Sequence, residues 1–151
     1  MGKSAIDVAR ERDEAYRVRT REHVARYLAS NGRDGYDDNR YKAPTLLLTT
    51  VGRRTGNAYV VPLNFAEHEG TYIIIGSYAG SDTHPQWYLN LVANPEVAVQ
   101  IRGDCFAAVA RTAETDEKER LWPIMGDAYP FYNEYVAATN RSIPLVILTP
   151  S

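Results

Sequence analysis

Apolar positions in this chain fall mostly into short runs rather than long stripes. Thr45–Val51 (TLLLTTV), Tyr59–Phe65 (YVVPLNF) and Thr71–Ser77 (TYIIIGS) are brief, rich in Leu, Ile, Val and Thr, and bounded by turn residues, the pattern of β-strands. Val97–Ile101 alternates apolar and polar positions, as a half-buried strand does. Cys105–Thr112 (CFAAVART) and Leu145–Leu148 complete a set of about six strands. Glycine punctuates the connections at Gly52-Arg53-Arg54-Thr55-Gly56-Asn57, at Glu67–Gly70 and at Gly103-Asp104. The tight Glu67–Gly70 connection predicts that the second and third strands form an antiparallel hairpin. Pro62 cannot donate to a ladder, so it places the second strand at an edge or bulge.

Four other segments follow a helical period. Residues 4–30 carry a loose stripe of Tyr16, Val24, Tyr27 and Leu28 among many charges, which predicts one polar helix or two, with Gly32 as C-cap. Pro85–Ala93 predicts a short helix with Pro85 in its first turn. Asp116–Met125 predicts another, with Thr115 as N-cap and Glu117 and Glu119 near the positive end of its dipole. Tyr129–Ala138 predicts a last short helix. The sum is an α+β architecture: about six mainly antiparallel strands in a barrel or sheet, with flanking helices. At 151 residues one domain is expected, with 1–42 a helical extension and connector and 43–151 the β domain.

Composition narrows the function classes. The net charge of −2 gives no basic field for nucleic acid. The single cysteine excludes an internal disulfide and fits a reducing cytoplasm. The first 30 residues are charged throughout, and no run is long and apolar enough to span a bilayer. His23, His68 and His84 stand far apart with no metal-ligand spacing, and no nucleophile elbow, CxxC, P-loop or dinucleotide fingerprint is present. The chain has 11 tyrosines against 3 phenylalanines, a bias that suits either amphipathic core edges or a pocket for an aromatic ligand.

Three stretches could carry chemistry. Between Asn39 and Ala66 stand Arg40, Lys42, Arg53 and Arg54 and no carboxylate. Arg53 and Arg54, flanked by two glycines and Thr55, suit a phosphate or carboxylate held by bidentate hydrogen bonds; they suit a solvated hairpin tip as well. Gly76–Leu91 (GSYAGSDTHPQWYLNL) joins a strand end of small residues to a helix, where backbone amides can meet a flat ring or an anion. Trp87 there serves a ligand or the docking of that helix, and His84 a base, an anion partner or a structural hydrogen bond. Tyr129, Tyr132 and Tyr135 recur along one side of a helix, as a core stripe or as a pocket lining.

The order TTVGRRTG (Thr49–Gly56), GSYAG (Gly76–Gly80), HPQWYLNL (His84–Leu91), NPEV (Asn94–Val97), an acidic helix with LWP (Leu121–Pro123), the YPxYxxY run (Tyr129–Tyr135) and the closing Arg141–Pro150 resembles the deazaflavin-dependent nitroreductase family. These are actinobacterial-type reductases that use coenzyme F-420 (an 8-hydroxy-5-deazaflavin). The resemblance runs over about residues 43–150. It implies a split β-barrel related to FMN-binding barrels, and hydride transfer from the reduced coenzyme to a conjugated hydrophobic acceptor: a quinone, enone or nitroaromatic. It further implies that Arg53, Arg54, Thr55 and Gly56 hold the phosphate and glutamyl tail, and that Pro62 and Leu63 flank the ring. Gly76, Ser77, Tyr78, Ala79 and Gly80 would meet the deazaflavin and its ribityl chain, and His84, Trp87 and Tyr88 would close the groove. Asn64, Tyr129, Tyr132 and Tyr135 would line the acceptor pocket, with Tyr132, Ser77 or Tyr135 meeting developing negative charge and Tyr132 as proton donor. Tyr78 stands where members often have lysine, and Asn64 where they can have tyrosine.

The reading therefore expects a cytoplasmic reductase, peripheral to the inner membrane face at most, that binds a small hydrophobic substrate, pairs as a homodimer and binds no nucleic acid or metal. An FMN-dependent reductase on the same barrel is the first alternative. A non-enzymatic cofactor, lipid or haem carrier is the second, and a plain interaction domain the third.

Overall fold

A computed structural model describes residues 2–39, 42–77, 83–129 and 131–151. The element order is α1 (Ala5–Ser30), β1 (Thr45–Val51), β2 (Ala58–Asn64), β3 (Ala66–His68), β4 (Thr71–Ile75), α2 (Gln86–Ala93), β5 (Glu96–Ile101), β6 (Asp104–Thr112), α3 (Thr115–Ala128), α4 (Phe131–Ala138) and β7 (Leu145–Pro150). The strands form one seven-stranded antiparallel sheet in the order β2-β1-β5-β6-β7-β4-β3.

The curl of this sheet follows from its connectivity. Its two edge strands, β2 and β3, are consecutive in the chain and separated by Phe65 alone. Consecutive Cα atoms are about 3.8 Å apart, so the opposite edges must come together at one corner. The sheet wraps into a split barrel, pinned at that corner where the Phe65 N–H donates to the Pro44 carbonyl (3.3 Å).

Side-chain alternation then sorts the core into two clusters. Leu46, Leu48, Ile74, Val97, Val99, Val146 and Leu148 point to one face with Phe65 and with Trp87 and Leu91 of α2. Ile73, Ile75, Leu145 and Ile147 point to the other, beneath Leu121 and Met125 of α3. β4 and β7 are therefore buried on both faces, which explains their unbroken apolar runs.

Helix α1 is a single helix. Ser4 caps it in a reciprocal box with Asp7. Its last turn is fixed by Tyr27, which is fully buried: the hydroxyl donates to the Thr45 carbonyl (2.9 Å) and accepts from the Arg102 N–H (2.8 Å).

Four local expectations are corrected. The second and third predicted strands do not pair: β2 pairs with β1, and the hairpin is β3–β4, because the Glu67–Gly70 segment holds both a short strand and the turn, with Glu69 and Gly70 at positive φ. The C-cap of α1 is Asn31, at φ 51°, one residue before Gly32. Helix α2 opens at Gln86 with Pro85 as its N-cap, one residue later than expected, and the N-cap of α3 is Glu114, one residue before Thr115. Tyr129 caps the end of α3 rather than opening α4.

Candidate functional site

The turn between β1 and β2 is built around two glycines. The Gly52 N–H donates to the Asn57 carbonyl (2.7 Å), the Gly56 N–H to the Gly52 carbonyl (2.9 Å), and Gly56 sits at φ 73°. A side chain at Gly52 would meet the Tyr59 ring and the Thr55 hydroxyl at 2.6 and 2.7 Å. The absence of one lets Thr55 Oγ1 bond the Tyr59 hydroxyl (3.0 Å) and fixes both on the turn.

Arg53 is aimed by α2. Its backbone N–H and a guanidinium N–H both donate to Asn90 Oδ1 (3.2 and 2.8 Å), and a second guanidinium nitrogen donates to Gln86 Oε1 (2.9 Å). Asn90 is itself buried and donates to the Thr50 hydroxyl (3.4 Å). The guanidinium is thus oriented by neutral acceptors, and its charge is not cancelled. Arg54 is exposed and forms no ion pair among the described residues.

These residues line a cavity of about 680 Å³, within the usual range for ligand sites. Its walls are the Gly52–Thr55 turn, Tyr59–Val61 of β2, Gln86, Trp87 and Asn90 of α2, and Tyr16, Arg17, Thr20 and Arg21 of α1. Four arginines line it and no carboxylate does. The donor set suits a ligand with several negative charges, and the Trp87 and Tyr59 surfaces suit a flat conjugated one. Trp87 also belongs to the first core cluster, so it serves packing and lining together.

A second centre lies at the end of β4. Arg141 donates to the Gly76 carbonyl (3.0 Å), the Ser77 carbonyl (2.6 Å) and His84 Nδ1 (2.9 Å). Accepting at Nδ1 requires a neutral imidazole with its proton on Nε2. Burial, then the Arg141 charge, hold the His84 pKa below the ordinary histidine value, in keeping with that form. The His84 ring packs at 4.9 Å from the Tyr88 ring, whose hydroxyl bonds Thr112 Oγ1 (2.9 Å). A side chain at Gly76 would strike Pro144 Cγ at 2.8 Å, so glycine is needed for this close approach. Ser77 is buried at the same point.

The expected site residues divide accordingly. Arg53, Arg54, Thr55 and Trp87 come together on the cavity, and Gly56 completes its turn. Pro62, Leu63 and Asn64 follow along β2; Asn64 Nδ2 contacts Thr45 Oγ1 (3.2 Å) and the Pro44 carbonyl (3.4 Å). Gly76, Ser77, His84 and Tyr88 gather around Arg141. Tyr78, Ala79 and Gly80 lie outside the described residues, as does the side chain of Tyr135. Tyr129 and Tyr132 are each 6% exposed, in the second core cluster, with rings 6.0 Å apart. The Tyr129 hydroxyl donates to the Phe65 carbonyl (2.9 Å), and burial pushes its pKa to about 12. That hydroxyl is therefore tied to the barrel corner. The sequence reading missed Asn90 and Gln86, Arg141, and the α1 wall. Arg141 stood in a recognised block, but nothing in the sequence shows the guanidinium reaching back to β4.

The family described as F420H(2)-dependent quinone reductase matches residues 19–150. The chain belongs to this family. An F420H(2)-dependent quinone reductase of Mycobacterium tuberculosis is 34% identical over 130 residues, 84% of this chain and 87% of its own. A solved F420-H2 dependent reductase, FDR-A, is 40% identical over 70% of this chain and 93% of its own, with a TM-score of 0.65. A solved chain described as a domain-swapped dimer is 34% identical over 96% of this chain and 99% of its own, with a TM-score of 0.68. The F420H(2)-dependent quinone reductase family is one of oxidoreductases with coenzyme F-420 as cofactor, and this member carries the split barrel expected of it. No helix among the described residues is long and apolar enough to cross a membrane, and no cluster of metal-ligating side chains occurs among them.

Proposed function

We propose that the chain binds reduced coenzyme F-420 along the groove between α1, the Gly52–Thr55 turn and α2, and passes hydride to a quinone-type acceptor. The observation that carries this reading is the carboxylate-free cavity holding Arg53, Arg54 and Trp87 in one place. The coenzyme, when bound, supplies the hydride. The protein supplies binding, orientation and electrostatics.

Arg54 and the free N–H groups of Arg53 bind the phosphate and carboxylates, with Thr55 beside them. Pro62, Leu63 and Trp87 offer apolar surface to the ring, and Gly76 and Ser77 bring backbone close to it. Arg141 fixes the Gly76 and Ser77 carbonyls in one arrangement with His84, so the strand end is set before a ligand arrives. Holding ring and acceptor face to face removes orientational entropy from the barrier. Tyr132 and Ser77, with Tyr135, are the groups we assign to stabilising negative charge on the acceptor, and Tyr132 is the proton donor. Residues 43–151 form the coenzyme-binding barrel in this reading, and 1–42 the helical extension that closes one side of the groove. A homodimer working in the cytoplasm is part of the same proposal; the relative described as a domain-swapped dimer supports the pairing.

The test is a fluorescence titration with oxidised coenzyme F-420 and, separately, FMN, followed by turnover of the reduced coenzyme with menadione. Tight F-420 binding that Arg54→Ala weakens, with quinone-dependent oxidation of the coenzyme, is expected. FMN binding without F-420 binding would refute the cofactor; F-420 binding without oxidation by any quinone would refute the reaction.

A further inference from the structure

The α1 wall of the groove carries two arginines. Arg17 and Arg21 are four residues apart, so they share a face, and that face lines the same cavity as Arg53 and Arg54. Both are exposed. Among the described residues Arg21 pairs with Glu14 at 3.9 Å, with both side chains well exposed (72% and 65%), an ion pair too loose and too hydrated to neutralise it. By contrast, the lower half of α1 neutralises its cation: Arg26 is bonded to Asp34 and Asp38, each at 2.7 Å. The chain as a whole carries more acidic than basic residues, 19 against 17. Four cations facing one cavity with no acid in its wall is thus a local reversal of charge. Like charges gathered around a low-dielectric cleft repel one another and concentrate the field on whatever anion enters.

Resting on the groove assignment above, we propose that Arg17 and Arg21 of α1 form a second jaw that grips the polyanionic tail of the coenzyme, its phosphate and glutamyl carboxylates, against Arg53 and Arg54. Tyr27 and the Asn31–Gly32 cap hold the C-terminal end of the helix to the barrel, while its first turns carry exposed Ile6 and Val8. The jaw reads the tail and not the ring, so it sets preference for the full coenzyme over its riboside and, among coenzymes, for longer glutamyl chains.

The test titrates the full chain and an Arg17→Gln/Arg21→Gln double variant with two probes: coenzyme F-420 carrying several glutamates, and the deazaflavin riboside lacking phosphate and glutamates. Arg19→Gln, on the opposite face of α1, is the control, and circular dichroism checks that α1 is intact. The double variant is expected to lose affinity for the tailed coenzyme on the order of tenfold, the combined effect of two exposed cations. Riboside affinity stays unchanged, and the tailed coenzyme's advantage shrinks as salt is raised. Equal affinity of wild type and double variant for the tailed coenzyme, with Arg54→Ala still impaired, would overturn the jaw and leave the groove standing. Equal loss for both probes would overturn it too, reducing α1 to packing. Failure of the wild-type chain to bind either probe would instead bring down the groove assignment itself, and the jaw with it.

Discussion

Replacing Tyr129 with phenylalanine separates a structural from an acceptor-binding role at one hydroxyl. Tyr129 is 6% exposed and donates to the Phe65 carbonyl at 2.9 Å. That carbonyl belongs to the one-residue joint between the two edges of the barrel. Losing the donor removes a hydrogen bond worth about 1 kcal/mol and strands a buried acceptor, so the variant should lose about 2 kcal/mol in all. For a domain of this size the midpoint of thermal unfolding then falls by about 4–8 °C. Urea unfolding followed by Trp87 and Trp122 fluorescence, alongside calorimetry, measures both quantities. The wild-type protein has a phenol that burial holds near pKa 12. A tyrosine whose folded pKa is raised contributes stability that is complete below about pH 10, its unfolded value, and is lost as pH climbs toward 12. The variant should lack that alkaline component while keeping its coenzyme affinity and its KM for menadione. Unchanged stability with a raised menadione KM would refute the reasoning and return the hydroxyl to the acceptor pocket.

Three further outcomes are expected. Gly32→Ala puts a Cβ at 2.5 Å from the Arg102 Cα at a φ of +76°, so it should cost about 3 kcal/mol in urea unfolding; a loss under about 1 kcal/mol would mean that the end of α1 can move off the β5–β6 turn. The lowered His84 pKa means that the unfolded chain takes up this proton first on acidification. Its contribution is therefore complete above about pH 6.5 and declines as pH falls through that value; the urea midpoint should drop more between pH 7.5 and 5.5 in wild type than in His84→Gln, and parallel profiles would remove the His84–Arg141 contact from the account. Tyr132→Phe should lower kcat for menadione with little change in coenzyme binding; normal turnover would leave Tyr132, 6% exposed, as core packing alone.

Much of the barrel is legible in the sequence because its strands are short and end in glycine or proline. The bounds of β1 coincide with TLLLTTV, and Pro62 marks β2 as the edge strand it is. β3 is not legible: three residues, Ala66–His68, give no period, and its partner is decided by the corner at Phe65. Cap positions slip by a residue because Asn31 and Gly32 both take positive φ. The Arg53–Arg54 turn announces itself by its isolation from carboxylates. Arg17 and Arg21 do not, since they lie in a helix crowded with both signs of charge and acquire meaning only from the wall they face. Arg141 is similar: its partners Gly76, Ser77 and His84 lie 57 to 65 residues away, a separation no local pattern records.

The position of β7 has a consequence for how the chain must be made. β7 is the last strand in sequence, yet it lies inside the sheet, between β6 and β4, with Ile74 opposite Val146 and Ala110 opposite Leu148. β1, β2, β5 and β6 can pair on a ribosome as they emerge. The β3–β4 hairpin cannot join them until residues 145–150 arrive as the missing stave, and Ile73, Ile74 and Ile75 wait exposed until then. Such late, distant pairing slows folding and leaves apolar strands open to other chains. The nascent protein is therefore most in need of chaperone protection over the synthesis of β5 through α4, and a premature stop anywhere before Leu145 should yield an aggregating chain rather than a weakened enzyme.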